Sequence, residues 1–311
     1  MATTAAPTTK RPWLTRTRKE GLWFYIFISP WIVGFLIFLA GPIITSAYLS
    51  LTTYDVTSPP SFLGLQNYSD LLSDDLFWLS LKITTIYSFV SVPLGMAVAL
   101  GVALMLNQKI PFVRVFRTIY YLPSVISGVS VTLLWLWIFN PDFGVLNGLL
   151  SQLFHIKGPR WVFSEQWVLP SFIIMSLWTT GGSMVLYLAG LQGVPTELYE
   201  AASLDGAGAW RRFWNVTLPM ISPVILFTLI TGIITSFQTF TQVQIMTQGG
   251  PHYGSLFYVF YLWQNAFGGS ATDMGYASAM AWILFVLVLI LTLLALRSAR
   301  IWVYYEGEAR T

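Results

Sequence analysis

The ionisable side chains of this 311-residue chain are few, and one stretch gathers several of them. Between Pro195 and Pro219 stand Glu197, Glu200, Asp205, Arg211 and Arg212, with long apolar runs on either side. Such groups cannot rest in lipid. They can pair with charges on something in water. A second set is uncharged. Thr228, Gly232, Thr235, Ser236, Thr239 and Gln242 recur at helical spacing, with Gln238 and Gln244 flanking them. Met175, Thr179, Gly182 and Ser183 recur at compatible spacing in the preceding apolar run. Hydroxyl and amide groups on one stripe suit hydrogen bonding to a polyol. They also suit helix packing in a membrane, which is the stronger reading for Gly232 and Thr228.

Catalytic groupings are missing. Gly-Lys never occurs as a dipeptide, so there is no phosphate loop of the Gly-x-x-x-x-Gly-Lys type. The two histidines, His155 and His252, lack metal-ligand spacing. Tyr54-Asp55 and Ser127-Gly128 echo fragments of intramembrane proteases, but neither has its partner motif, and the enzyme reading is rejected. The absence of cysteine removes disulfides, thiolate catalysis and Cys-ligated metals.

The composition places these groups in a membrane. The chain is 55% hydrophobic and 9% charged, against about 25% charged in soluble domains, and mean hydropathy is +0.66. The net charge of +3 is no nucleic-acid footprint. Six apolar runs, 22–49, 79–106, 119–139, 168–191, 222–246 and 278–296, exceed or approach the ~20 residues needed to cross. Residues 1–20 read as a disordered basic tail, 21–300 as one membrane domain and 301–311 as a second tail. The first apolar run is too long for the ~7–15-residue core of a signal peptide. With both termini inside, thirteen of the sixteen Lys and Arg fall on the inner side, the bias expected of cytoplasmic segments. The runs hold no Asp, Glu, Arg or His, and only Lys82. Ion-coupled transporters place ionisable groups at membrane depth, so energy for any uphill transport would enter from outside the bilayer.

The polar stretch must therefore form a cytoplasmic surface. Pro195 suits the first turn of a helix, and Glu197 lies near that helix's positive end. Leu198, Ala201 and Ala202 share a face, with Ala201-Ala202 small enough for close approach. Gly206 can take the left-handed conformation that ends a helix. A second short helix near Ala209 carries Trp210, Phe213 and Trp214 as an apolar stripe, and Leu218-Pro219 leads back to the membrane. An amphipathic connector resting on headgroups remains the alternative.

Glu200-Ala201-Ala202, then Gly206, then Val216-Thr217-Leu218-Pro219 resembles the EAA loop of ABC importer inner-membrane permeases. The fuller form is similar to the carbohydrate-uptake, maltose-type branch. It adds Pro195, Glu197-Leu198-Tyr199, Leu122-Pro123, Pro141, Gly144, Asn147 and Gly249-Gly250-Pro251, and it covers nearly the whole chain from Trp23. The resemblance implies an all-α, six-helix type I importer permease fold with both termini cytoplasmic, in the cell membrane of a prokaryote. It implies a non-enzymatic subunit that forms half of a pathway for a sugar or oligosaccharide. Glu197, Glu200, Ala201, Ala202, Asp205 and Gly206 would seat on a separate ATPase dimer, which alone binds ATP, so the chain needs no cofactor or metal of its own. The solute path would run by Gly232, Thr235, Ser236, Thr239, Gln242, Thr179 and Gly182. Expected partners are a second homologous permease, the ATPase dimer, an extracytoplasmic sugar-binding protein and lipid, with no nucleic acid. The alternatives are a permease for another small solute such as glycerol phosphate, and a non-transporting scaffold.

Overall fold

A computed structural model describes residues 16–108, 111–268 and 272–305, with side chains from residue 19 onward. In chain order the elements are α1 (Arg16–Phe35), α2 (Gly41–Leu49), β1 (Thr52–Thr53), β2 (Ser61–Phe62), α3 (Gln66–Ser73), α4 (Asp75–Leu106) and α5 (Val113–Val125). There follow α6 (Gly128–Ile138), α7 (Val145–Phe154), α8 (Glu165–Trp178), α9 (Gly181–Gln192), α10 (Thr196–Leu204) and α11 (Ala209–Arg212). The chain closes with α12 (Leu218–Phe237), α13 (Thr241–Met246), α14 (Tyr258–Phe267) and α15 (Met274–Trp302). A π turn at Leu36–Ala40 joins α1 to α2, and another at Phe213–Thr217 joins α11 to α12.

Among the described residues, four helical segments are long and apolar enough to cross a membrane: Lys19–Leu49, Asp75–Leu106, Ala209–Met246 and Met274–Trp302. Two further helix pairs reach that length and apolarity only when taken together, and both are bent. Val113–Val125 and Gly128–Ile138 meet at 101°, and Glu165–Trp178 and Gly181–Gln192 at 46°. The apolar run 119–139 is thus not one span. Ile126 and Ser127 are extended, with ψ of 141° and 135°, and break the ladder in its middle. The run 168–191 is interrupted at Thr179-Thr180, and 222–246 at Gln238–Phe240. Helix also reaches past both expected tail boundaries, from Arg16 at one end and to Trp302 at the other. Residues 1–15 and 306–311 of those tails lie outside the described residues.

The 32-residue α4 is the central helix and packs on α8, α9, α12 and α14. Asp74 starts it by accepting the Leu76 N–H at 2.9 Å. The Arg117 guanidinium meets its last carbonyl, Leu106 O, at 3.1 Å. Lipid tails are as apolar as leucine, so close fit rather than water exclusion holds such helices together. Small residues supply that fit. Ala99 and Ala103 are fully buried where α4 meets α9 and α12. A Cβ on Gly232 would lie 2.9 Å from Val92 Cγ1. One on Gly181 would overlap the Tyr120 carbonyl oxygen and sit 2.9 Å from Tyr121 Cα. By contrast, none of the apolar window of the first long helix is buried within the chain.

At the end remote from α10, Asn67 Nδ2 donates to the carbonyls of Ser50 and Thr52 at 2.9 and 2.8 Å, fixing α3 to the short hairpin. The segment 247–277 is not a simple loop. It contains α14, whose Tyr258, Phe260 and Ala266 are buried in the body.

Candidate solute cavity and docking hairpin

The three helix interruptions open on one cavity of about 470 Å³. Ser124, Ile126 and Gly128 border it at the α5–α6 break, Thr179 and Thr180 at the α8–α9 break, and Thr239, Thr241 and Gln242 at the α12–α13 break. Irregular backbone at membrane depth is tolerated only where protein buries it or a cavity solvates it, so the breaks and the cavity explain one another. Tyr87 and Ser91 of α4 and Thr132 of α6 complete the polar wall. Tyr87 is 4% exposed and packs edge-on against Phe257, with centroids 5.0 Å apart. No Asp, Glu, Lys, Arg or His lines the cavity among the described residues.

The hydroxyls of the wall donate their protons back to the carbonyls of their own helices rather than into the cavity. Thr132 Oγ1 donates to Gly128 O at 2.7 Å, Thr235 to Thr231 O at 2.9 Å, Ser236 to Ile233 O at 3.0 Å and Thr239 to Ser236 O at 2.9 Å. Ser176, Thr179 and Thr180 do the same one turn back on their own helix. A hydroxyl has one proton and two lone pairs. With the proton committed to the backbone, what it offers the cavity is an acceptor. The wall is thus rich in acceptors and carries no formal charge, which favours a solute that brings O–H donors.

The structure places Thr228, Gly232, Thr235, Ser236, Thr239, Gln242, Met175, Thr179 and Ser183 together on this wall. Gly182, Gln238 and Gln244 do not border it. Gly182 sits beside the break with open space at its Cβ position, whereas the adjacent Gly181 is buried against α5. Ser91, Ser124 and Thr132 were not singled out from sequence, and Gly128 only within the rejected Ser127-Gly128 protease fragment. Ser124 follows Pro123 and Gly128 follows Ser127, so a helix-breaking signal was present inside an otherwise apolar run.

The polar stretch 195–219 folds as a hairpin of α10 and α11. Pro195 precedes the first turn of α10, which holds Glu197. Gly206 has φ +75°. The Gly206 N–H bonds Ser203 O at 3.1 Å, and the Ala207 N–H bonds Ala202 O at 2.9 Å. Those two bonds satisfy the last carbonyls of α10 in the Schellman pattern, which needs a left-handed residue at this point. Glu197, Glu200, Ala201 and Asp205 are exposed, and Ala202 is half-buried. Leu204, not singled out from sequence, is 90% exposed at the tip. Inside the hairpin, the Tyr199 hydroxyl and Thr217 Oγ1 are 3.0 Å apart, and Arg212 Nη1 donates to Ser203 Oγ at 2.9 Å. Trp210, Phe213 and Trp214 cluster with centroids 5.5–6.0 Å apart. The hairpin does not stop at Leu218-Pro219. The π turn carries α11 into α12 without a break, so the polar hairpin and the cavity wall share one helical path.

Asn147 accounts for the Asn140–Asn147 run. Its Nδ2 donates to Pro141 O and Pro159 O at 3.0 and 3.2 Å, and its Oδ1 accepts the Trp161 indole N–H at 2.8 Å. His155 ends α7, and no cluster of potential metal ligands occurs among the described residues. Asp74 forms a further polar node. Burial alone would raise its carboxyl pKa, but O–H donation from Tyr261 and Tyr276 and the Leu76 and Phe77 N–H groups hold it below the ordinary value.

A multi-pass helical membrane protein with broken helices around an uncharged polar cavity, and a polar hairpin continuous with the cavity wall, has the construction of a transport subunit. Residues 91–302 match the family model for the binding-protein-dependent transport system inner membrane component, and the chain belongs to that family. The "Probable ABC transporter permease protein YesP" of Bacillus subtilis is 41% identical over 94% of both chains. The lactose transport system permease protein LacF of Rhizobium radiobacter is 35% identical over 94% of this chain and 98% of its own. Among solved structures, a chain of the bacterial alginate ABC transporter, in complex with an alginate pentasaccharide-bound periplasmic protein, superimposes with a TM-score of 0.80. It is 25% identical over 92% of this chain and 96% of that one.

Proposed function

We propose that this chain forms half of the translocation pathway of an ATP-driven importer for an uncharged sugar or oligosaccharide. The observation that carries the reading is the cavity: three helix breaks open on one wall of hydroxyls that donate to their own backbone, with no ionisable side chain but Tyr87. Such a wall accepts hydrogen bonds from a polyol. An anion, phosphate esters included, would meet acceptor lone pairs without a compensating cation. The carbohydrate systems among the relatives support a carbohydrate cargo, while the preference for an uncharged one rests on the cavity wall alone.

In this reading both termini are cytoplasmic, and α10 seats on a separate ATPase dimer that holds the ATP. Glu197, Glu200 and Asp205 face basic groups there. Ala201 and Ala202 allow close approach, and Gly206 makes the turn. An exposed ion pair is worth only about 0–1 kcal/mol, so exposed Leu198 and Leu204 supply most of the docking energy. A second homologous permease closes the pathway, and an extracytoplasmic binding protein delivers the solute.

The test is reconstitution. The complex purified from its native membrane is placed in proteoliposomes and offered radiolabelled lactose, maltose, glycerol 3-phosphate and a uronic-acid oligosaccharide. ATP-dependent accumulation confined to uncharged sugars is the expected result. Accumulation of the anions overturns the solute class, and retention of no ATPase by the chain overturns the transport role.

A further inference from the structure

Two tyrosine–threonine pairs tie the docking hairpin to the cavity. Tyr199 on α10 meets Thr217 Oγ1 at 3.0 Å, and Tyr187 on α9 meets Thr228 Oγ1 on α12 at 2.6 Å. Thr217 is 6% exposed, Thr228 4% and Tyr187 1%, so water does not compete readily for either threonine. Thr217 closes the π turn, and its hydroxyl also lies 3.5 Å from the Arg212 carbonyl. From Thr217 the helix runs unbroken to Phe237, passing Thr228, Gly232, Thr235 and Ser236 on the cavity wall. The two threonines are eleven residues apart, about 16 Å along a helix. The tyrosines come from the helices on either side of the Gly193–Pro195 corner, so α9, α10 and α12 form a frame closed at both ends.

A frame closed at two points cannot slide α10 along α12 without breaking a bond. One closed only at the cavity end can. We infer that Tyr199 and Thr217 are positioning residues that carry a displacement of α10 to the cavity wall, while Tyr187 and Thr228 keep α9 and α12 in step there. The inference rests on the ATPase-docking reading and adds to it the route by which motion leaves the docking helix. The third link, Arg212 to Ser203, is exposed, and solvent can replace it.

The sequence contains no cysteine, so introduced thiols label without background. Spin labels at T196C and Q238C, both on exposed positions, report the distance between α10 and the end of α12 in the purified complex. Labels at V129C and Q238C, beside the α5–α6 and α12–α13 breaks, report the separation of those breaks before and after ATP with magnesium. Tyr199→Phe or Thr217→Val is expected to widen the first distance distribution about twofold, with no further widening in the double variant because both act through one bond. Either is also expected to at least halve the ATP-induced shift across the cavity, with the copurified ATPase still bound. Unchanged widths, additive effects in the double variant, or an undiminished shift overturn the inference. Loss of the bound ATPase in the single variants also overturns it, since Tyr199 and Thr217 would then serve docking itself. If the unmutated chain retains no ATPase, the functional reading falls, and this inference with it.

Discussion

Asp74 Oδ2 and the Tyr276 hydroxyl are joined by a 2.7 Å hydrogen bond although they lie 202 residues apart in sequence. Tyr261 donates to the same oxygen at 2.6 Å. One carboxylate thus ties the start of α4 to α14 and α15. Its effect on stability depends on pH with a definite sign. The folded-state pKa is depressed, so the contribution is present above the unfolded value of 3.8 and is lost as pH falls through the folded value. Tyr261, pushed up to about 12 by burial and then by Asp74, stays a donor throughout. Asp74→Asn is expected to cost on the order of 1 kcal/mol at neutral pH. The difference from the unmutated chain should shrink below pH 4 in thermal unfolding in detergent.

Gly206 has φ +75° with nothing within 4 Å of its Cβ position. A side chain there meets backbone strain but no neighbour in the chain. Asn and Asp both tolerate the left-handed region, and only Asp adds charge. Gly206→Asp is expected to abolish uptake while membrane insertion is normal, and Gly206→Asn to retain most of it, because an unpaired charge is costly in a closed interface. Uptake assays beside quantification of inserted protein check this. Equal activity of the two variants would remove the interface from the explanation.

Leu204 is 90% exposed on α10. Burying a leucine is worth roughly 1.5–3 kcal/mol. Leu204→Ser should therefore weaken ATPase retention by about tenfold or more, with no change in the thermal stability of the permease alone.

Thr239 is 6% exposed at the α12–α13 break, with its hydroxyl proton on Ser236 O. Thr239→Leu removes an acceptor and adds volume to the wall. Uptake should fall by about tenfold, the equivalent of ~1.4 kcal/mol, with ATPase retention unchanged. Unaltered uptake kinetics would count against the solute path.

The neighbouring glycines should behave oppositely. Gly181→Ala drives a methyl into the backbone of α5 at Tyr120, whereas Gly182→Ala points into open space. Overpacking costs about 1–3 kcal/mol, so the first variant should unfold at a lower temperature and the second should not.

Much of this was legible in the sequence because it lay in local pattern. The apolar run 79–106, charged only at Lys82, became α4, the turn at Gly206 followed from a glycine after a short polar helix, and the hydroxyl stripe from Thr228 to Gln242 faces one cavity. What was not legible depended on partners far away in the chain or on backbone rather than side chain. Hydropathy reads 119–139 as continuous and does not register that Ile126-Ser127 is extended. Gly181 and Gly182 are identical in composition and differ only in what Tyr120 does on another helix. Asp74 looked like one of several aspartates in a polar segment, since Tyr261 and Tyr276 come from the far end of the chain.

The breaks at Ile126-Ser127, Thr179-Thr180 and Gln238–Phe240 have one more consequence. A helix resists bending because each turn is clamped to the next. At these three sites the clamp is already open, and all three border the one cavity. In the transport reading proposed above, the groups that would meet the cargo are therefore also those freest to move when the pathway changes its opening. In that reading, a substitution that straightens any one of these helices would stiffen the bundle and remove part of the cavity wall together.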